Sequence, residues 1–97
     1  MKNYDVIFIG GSLMASSTAF NLLSERPDLK ILMIEKDPTY KHAATPLALG
    51  GIRQQFTERT NIRMAKMSVE TFENFGEIME TKTFGKPNID LRQGGYL

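Results

Sequence analysis

The chain has no cysteine, no tryptophan and a single histidine among its 97 residues. Without cysteine there is no disulfide, no thiolate nucleophile and no cysteine-ligated zinc site. A lone imidazole, His42, argues against a histidine-based metal centre. An excess of charge is also missing. Twelve Lys and Arg face 11 Asp and Glu, interspersed along the chain, for a net charge of +1. Such a balance asks for neither nucleic acid nor an anionic membrane as a partner. Long hydrophobic runs are absent too. The apolar run near the N-terminus, Val6 to Ile9, is four residues long. A secretory signal needs about 7–15 apolar residues and a membrane span about 20. The expectation is a chain with no membrane span in a cytoplasmic setting. Its length allows one small domain with a modest core.

What the sequence does contain is concentrated in residues 4–16, Tyr-Asp-Val-Ile-Phe-Ile-Gly-Gly-Ser-Leu-Met-Ala-Ser. Val6-Ile7-Phe8-Ile9 is β-branched and aromatic and reads as a buried strand. Gly10 and Gly11 follow at once, and an amphipathic run from Leu13 reads as a helix ending near Ser24. Strand, glycine turn and helix in this order open a dinucleotide-binding βαβ unit. The glycines permit a tight turn, and the helix then presents free N–H groups and the positive end of its dipole to a pyrophosphate. Against the pattern G-x-G-x-x-G/A, Gly10 and Ala15 fit the first and last positions, while Ser12 stands where the middle glycine is expected. Its hydroxyl either donates to a phosphate or crowds the ligand. The plainer reading is a strand–turn–helix whose glycines serve only the turn.

Pro27 stops the first helix. Lys30 to Glu35 then forms a continuous apolar strand ending in an acid, as expected of a parallel strand covered on both faces. Glu35 lies 25 residues beyond Gly10 and 20 beyond Ala15. That is where the dinucleotide fingerprint places a carboxylate, which accepts hydrogen bonds from the adenosine ribose. A carboxylate there repels a 2′-phosphate, which points to NAD or FAD and away from NADP. The alternative is an ordinary acid at a strand end.

Residues 36–57 read as a long irregular segment. Its middle, Ala43 to Ile52, is apolar and small, as if meant to lie against a flat partner or its own domain. Glu58 to about Thr81 reads as a long helix. Ile62, Ala65, Val69, Phe72, Phe75, Ile78 and Met79 recur at 3–4 spacing, and Thr57 or Thr60 is the expected cap. Met64 and Met67 fall off that stripe. Gly76 inside the helix suggests a close contact. Ile89 to Arg92 and Tyr96-Leu97 read as a terminal strand pair. The fold class is therefore α/β: a partial, Rossmann-like βαβ unit with parallel strands, an added long helix and a terminal strand pair.

Taken together these residues resemble the N-terminal segment of FAD-dependent oxidoreductases of the D-amino-acid oxidase superfamily, the group of sarcosine oxidase, glycine oxidase and dimethylglycine dehydrogenase. Asp5 to Ser17 resembles their D-V-V-I-I-G-G-G-I-M-G-S-S, and Leu32 to Asp37 their second strand. Ala44 to Phe56 resembles their S-T-x-x-S-x-G-G-I-R-Q-Q-F. The resemblance implies FAD as cofactor, with Gly10, Gly11, Ser12, Leu13, Met14 and Ala15 facing the pyrophosphate. It implies Glu35 on the ribose, Lys36 beside the adenosine, and Ala44 and Thr45 near the phosphates. Gly50, Gly51 and Ile52 would pass the isoalloxazine, and Arg53 would lie toward the flavin or substrate. His42-Ala43-Ala44 echoes a covalent flavin motif that Thr45 breaks, so no covalent role is implied. Members of that superfamily are several hundred residues long, and their substrate domain has no counterpart here. The expectation for residues 1–97 is thus a partial FAD/NAD(P)-binding domain. It would belong to an oxidoreductase acting on C–N bonds of amines or amino acids, inactive alone, and paired with a complementing chain or with itself. The alternatives are an interaction module or truncated product that keeps the fold without FAD, and an NAD-binding domain.

Overall fold

A computed structural model describes residues 1–95. The chain divides into two compact units, Met1–Gly50 and Gly51–Leu97.

The first unit is a βαβ unit. Strand β1, Val6–Ile9, leads through the glycine turn into helix α1, Leu13–Glu25, and back to strand β2, Ile31–Ile34. The strands pair in parallel, with Val6 opposite Ile31 and Ile9 opposite Ile34. The register is pinned at both ends. At the start, the Asp5 N–H donates to the Lys30 carbonyl at 2.8 Å, and the Lys30 N–H donates back to the Asp5 carboxylate at 2.8 Å. At the far end the Gly10 N–H donates to the Ile34 carbonyl at 2.7 Å. A one-residue slip would turn the side chains to the opposite face. Helix α1 closes at Arg26, whose N–H bonds the Leu22 carbonyl. The Pro27 turn follows, as the sequence requires.

The strands are not covered on both faces. Ile7 is 54% and Ile9 83% exposed, and Ile34 at the end of β2 is 48% exposed. Val6 and Phe8, on the other face of β1, are half-buried. A continuous apolar strand demands two covering layers, and this unit supplies one helix longer than a single turn. Ala19 of α1 is the buried apolar side chain among the described residues. Leu13, Phe20 and Leu23, large apolar residues of the same helix, are exposed.

After β2 the chain folds tightly instead of wandering. Residues 37–43 form successive hydrogen-bonded turns, and a single helical turn, α2, covers Ala44–Leu47. The long irregular segment therefore begins only after α2.

In the second unit the long helix is interrupted. Helix α3 covers Arg59–Glu73 and α4 Phe75–Ile78. At Asn74 both the backbone and side-chain amides donate to the Glu70 carbonyl, a side-chain competition that disturbs helical geometry. The half-buried residues of α3, Ile62, Ala65, Val69 and Phe72, are the apolar stripe read from the sequence, and Met64 and Met67 are exposed. The cap is Glu58, with no side-chain hydrogen bond, so neither Thr57 nor Thr60 fills that role. Gly76 lies where a side chain would collide. A Cβ there would meet the Lys86 side chain and the Pro87 carbonyl, each at 3.0 Å. Thr81 and Gly85 bridge antiparallel. Ile89 to Arg92 forms no strand. A strand exists by its ladder, and the partner expected for it, Tyr96-Leu97, lies outside the described residues.

Candidate functional site: the glycine turn and Glu35

The site is built where β1 and β2 end side by side. Gly10 has φ +101°, a conformation that costs an L-side chain strain, and nothing lies within 4 Å of where its Cβ would be. The turn thus needs glycine for its backbone, and the space beside it is open. Gly11 is the opposite case. A Cβ there would meet the Tyr40 hydroxyl at 2.8 Å, the Met33 sulfur at 3.2 Å and the Glu35 Cβ at 3.4 Å. Gly11 is glycine because other parts of the unit close on it.

Glu35 is fixed by backbone. Its Oε2 accepts from the Gly11 N–H at 2.7 Å and its Oε1 from the Asp37 N–H at 2.8 Å. These bonds, that from Asp37 foremost, hold the carboxyl below the usual carboxylate range, against a smaller opposing push from burial. Each carboxylate oxygen has a further lone pair, so an oriented anion with accepting capacity stands beside the glycine turn. The Gly11 N–H is the donor that fixes Glu35 beside the turn.

Helix α1 begins immediately beyond. Ser12 occupies the N-cap in an extended conformation, and its side chain caps none of the first-turn amides. Those amides have no intrahelical acceptor, and they sit at the positive end of a helix of 13 residues. The Ser16 hydroxyl donates to the Gly11 carbonyl at 2.8 Å and ties the turn to the helix. Ser12 and Ala15 are half-buried, while Leu13 and Met14 turn outward. An uncapped helix start, an open glycine turn and an oriented carboxylate suit a ligand that carries phosphate at one point and hydroxyls at another.

The remaining expected residues are more scattered. Lys36 is exposed, as are Ala44, Thr45 and Gly50. Gly51, Ile52 and Arg53 belong to the second unit, where the Arg53 guanidinium stacks 4.5 Å above the Phe56 ring. His42 is exposed. Three contributors escaped the sequence reading: Ser16, Asp37 and Tyr40. The Asp37-Pro38-Thr39 turn signature was the available signal for the last two. Among the described residues no group of three or more His, Cys, Asp or Glu could hold a metal ion, and no helix is long and apolar enough to cross a membrane.

The chain is 38% identical over 96 residues to FAD-dependent oxidoreductase domain-containing protein 1 of Xenopus laevis, and 31% identical over 96 residues to that of Bos taurus. Both of these relatives are named for dependence on FAD. In both cases the match covers 96% of this chain. The chain spans about a fifth of the length of these curated relatives. A shorter stretch of 37 residues is 40% identical to the mitochondrial L-2-hydroxyglutarate dehydrogenase of Caenorhabditis elegans. No family model matches the chain, and no solved structure does.

Proposed function

We propose that this chain is the FAD-binding portion of a flavin-dependent oxidoreductase. The observation that carries the proposal is Glu35. It is locked by the Gly11 and Asp37 amides at the end of the second parallel strand, beside an uncapped helix N-terminus. The names of the long relatives support FAD as the dinucleotide.

On this reading the adenosine ribose lies against Glu35, with Lys36 beside the adenosine. The pyrophosphate lies over the open side of Gly10 and the first turn of α1, where the amides following Ser12 meet its charge without a proton transfer. Ser12 orients its hydroxyl toward that charge. Ala44 and Thr45 approach the phosphates, and Gly50, Gly51, Ile52 and Arg53 serve the flavin. FAD supplies hydride acceptance, and these residues bind and orient it. The bond oxidised is C–N in an amine or amino acid, in keeping with the D-amino-acid oxidase-like motifs. The match to L-2-hydroxyglutarate dehydrogenase favours a second reading, oxidation of a C–OH bond at the equivalent carbon. On either reading residues 1–97 hold the cofactor, and none of the residues named above is assigned to the substrate.

The test is retention of flavin. The purified chain is incubated with FAD, freed of unbound cofactor and examined by absorption. A flavin band is expected from the wild type and its loss from Glu35→Ala. A chain folded by circular dichroism that retains no flavin refutes the proposal. It would favour the alternative of an interaction module, for which the exposed Ile7 and Ile9 face is the supporting observation.

A further inference from the structure

Tyr40 is held in a conformation that tyrosine seldom adopts, and the surrounding turn is built to keep it there. Its φ is +55°. Left-handed backbone at a residue with a bulky side chain persists only where neighbouring structure over-determines it, and such residues gather at ligand sites. Here the over-determination is visible bond by bond. The Glu35 carboxylate accepts from the Asp37 N–H, and the Asp37 carboxylate accepts from both the Thr39 N–H and the Thr39 hydroxyl. The Tyr40 N–H donates to the Asp37 carbonyl at 3.0 Å, and the Ala43 N–H donates to the Tyr40 carbonyl at 3.0 Å. The result is a clasp that leaves β2, reverses and carries the Tyr40 ring back over the glycine turn. The phenolic oxygen lies 2.8 Å from the point a Gly11 Cβ would occupy, and the Glu35 Cβ lies 3.4 Å from the same point.

We infer that Tyr40 is a nucleoside-binding residue: its hydroxyl, set beside Glu35 over Gly11, hydrogen-bonds a ribose hydroxyl of an adenine nucleotide. This rests on the dinucleotide reading above. A carboxylate only accepts, whereas a phenol both donates and accepts. The pair therefore offers a ribose diol an acceptor and a group that can serve either role. It also explains why the unit tolerates strain to place a tyrosine at this position. A phenylalanine would keep the ring and read no hydroxyl.

The experiment compares ADP with 2′,3′-dideoxy-ADP by titration calorimetry on the wild-type chain and on Tyr40→Phe, which keeps the ring and removes the hydroxyl. Expected is a loss of about 3- to 10-fold in ADP affinity for the variant, the size of one hydrogen bond, with dideoxy-ADP affinity unchanged. The preference for the natural ribose thereby shrinks. Equal weakening of both nucleotides, or of neither, overturns the assignment of Tyr40 alone. No ADP binding by the wild-type chain removes the dinucleotide reading and this inference with it. Tyr40 ring resonances of the wild type, followed by NMR, give a second measurement that needs no variant. They should shift with ADP and not with dideoxy-ADP, and an identical response to both would also overturn the assignment.

Discussion

At the scale of single residues, Gly10 and Gly11 make contrasting demands. Gly10→Ala meets open space but forces a side chain to φ +101°, so the cost is backbone strain of about 1–2 kcal/mol. Gly11→Ala drives a methyl into the Tyr40 hydroxyl and the Met33 sulfur. The methionine can yield but the tyrosine ring sits on a tied turn, so a loss of about 1–3 kcal/mol is expected. Urea denaturation of the two variants measures both, and only Gly11→Ala should shift the Tyr40 ring resonances. Glu35 contributes a pH dependence. Its folded pKa is depressed, by the Asp37 and Gly11 amides. The stability it confers is therefore complete above the ordinary carboxylate range, about pH 4.3, and is lost as pH falls through the lower folded value. The amide shifts of Gly11 and Asp37, followed by NMR on acidification, should move together below that pH. They should show no such step in Glu35→Gln.

At the scale of elements, the break between α3 and α4 gives a prediction against propensity. Alanine is favoured over glycine in a helix by about 1 kcal/mol, yet a Cβ at Gly76 would lie 3.0 Å from the Pro87 carbonyl. Backbone does not yield as a flexible side chain does, so Gly76→Ala should destabilise the chain by about 1 kcal/mol in denaturant titration. The sequence made the βαβ order, the parallel strands and the Glu35 position legible because each rests on local signals: apolar runs, a glycine pair and a proline stop. Gly76 as a close contact was legible for the same reason, since glycine inside a helix needs a cause. The clasp at Asp37 to Ala43 was not, because its bonds join residues whose side chains also favour an unstructured loop. Nor was the helix break, which depends on the Asn74 side chain outcompeting a periodicity that runs straight through it. The strand expected at Ile89 to Arg92 failed because apolar alternation specifies a strand only where a neighbouring ladder is present.

At the scale of the whole molecule, burial is the missing quantity. Ala19 is the buried apolar residue among those described, while Ile7, Ile9 and Ile34 line an open sheet end and face. Exposed apolar strands with unpaired edges associate. Sedimentation should show self-association of the isolated chain, and Ile9→Lys, at a position already 83% exposed, should reduce it without lowering stability by more than about 0.5 kcal/mol. The relatives, about five times as long, have ample chain with which to supply a second layer. The central claim remains the dinucleotide site at the glycine turn and Glu35. Its most direct test is titration of the isotope-labelled chain with FAD, read at the amides of Gly10, Gly11, Ser12, Leu13 and Asp37. The account predicts saturable shifts at these residues, with smaller ones at Lys36, Tyr40, Ala44, Thr45 and Gly50 to Arg53, competed by ADP and weakened when the ribose carries a 2′-phosphate. Shifts elsewhere, or none in a folded chain, would contradict it.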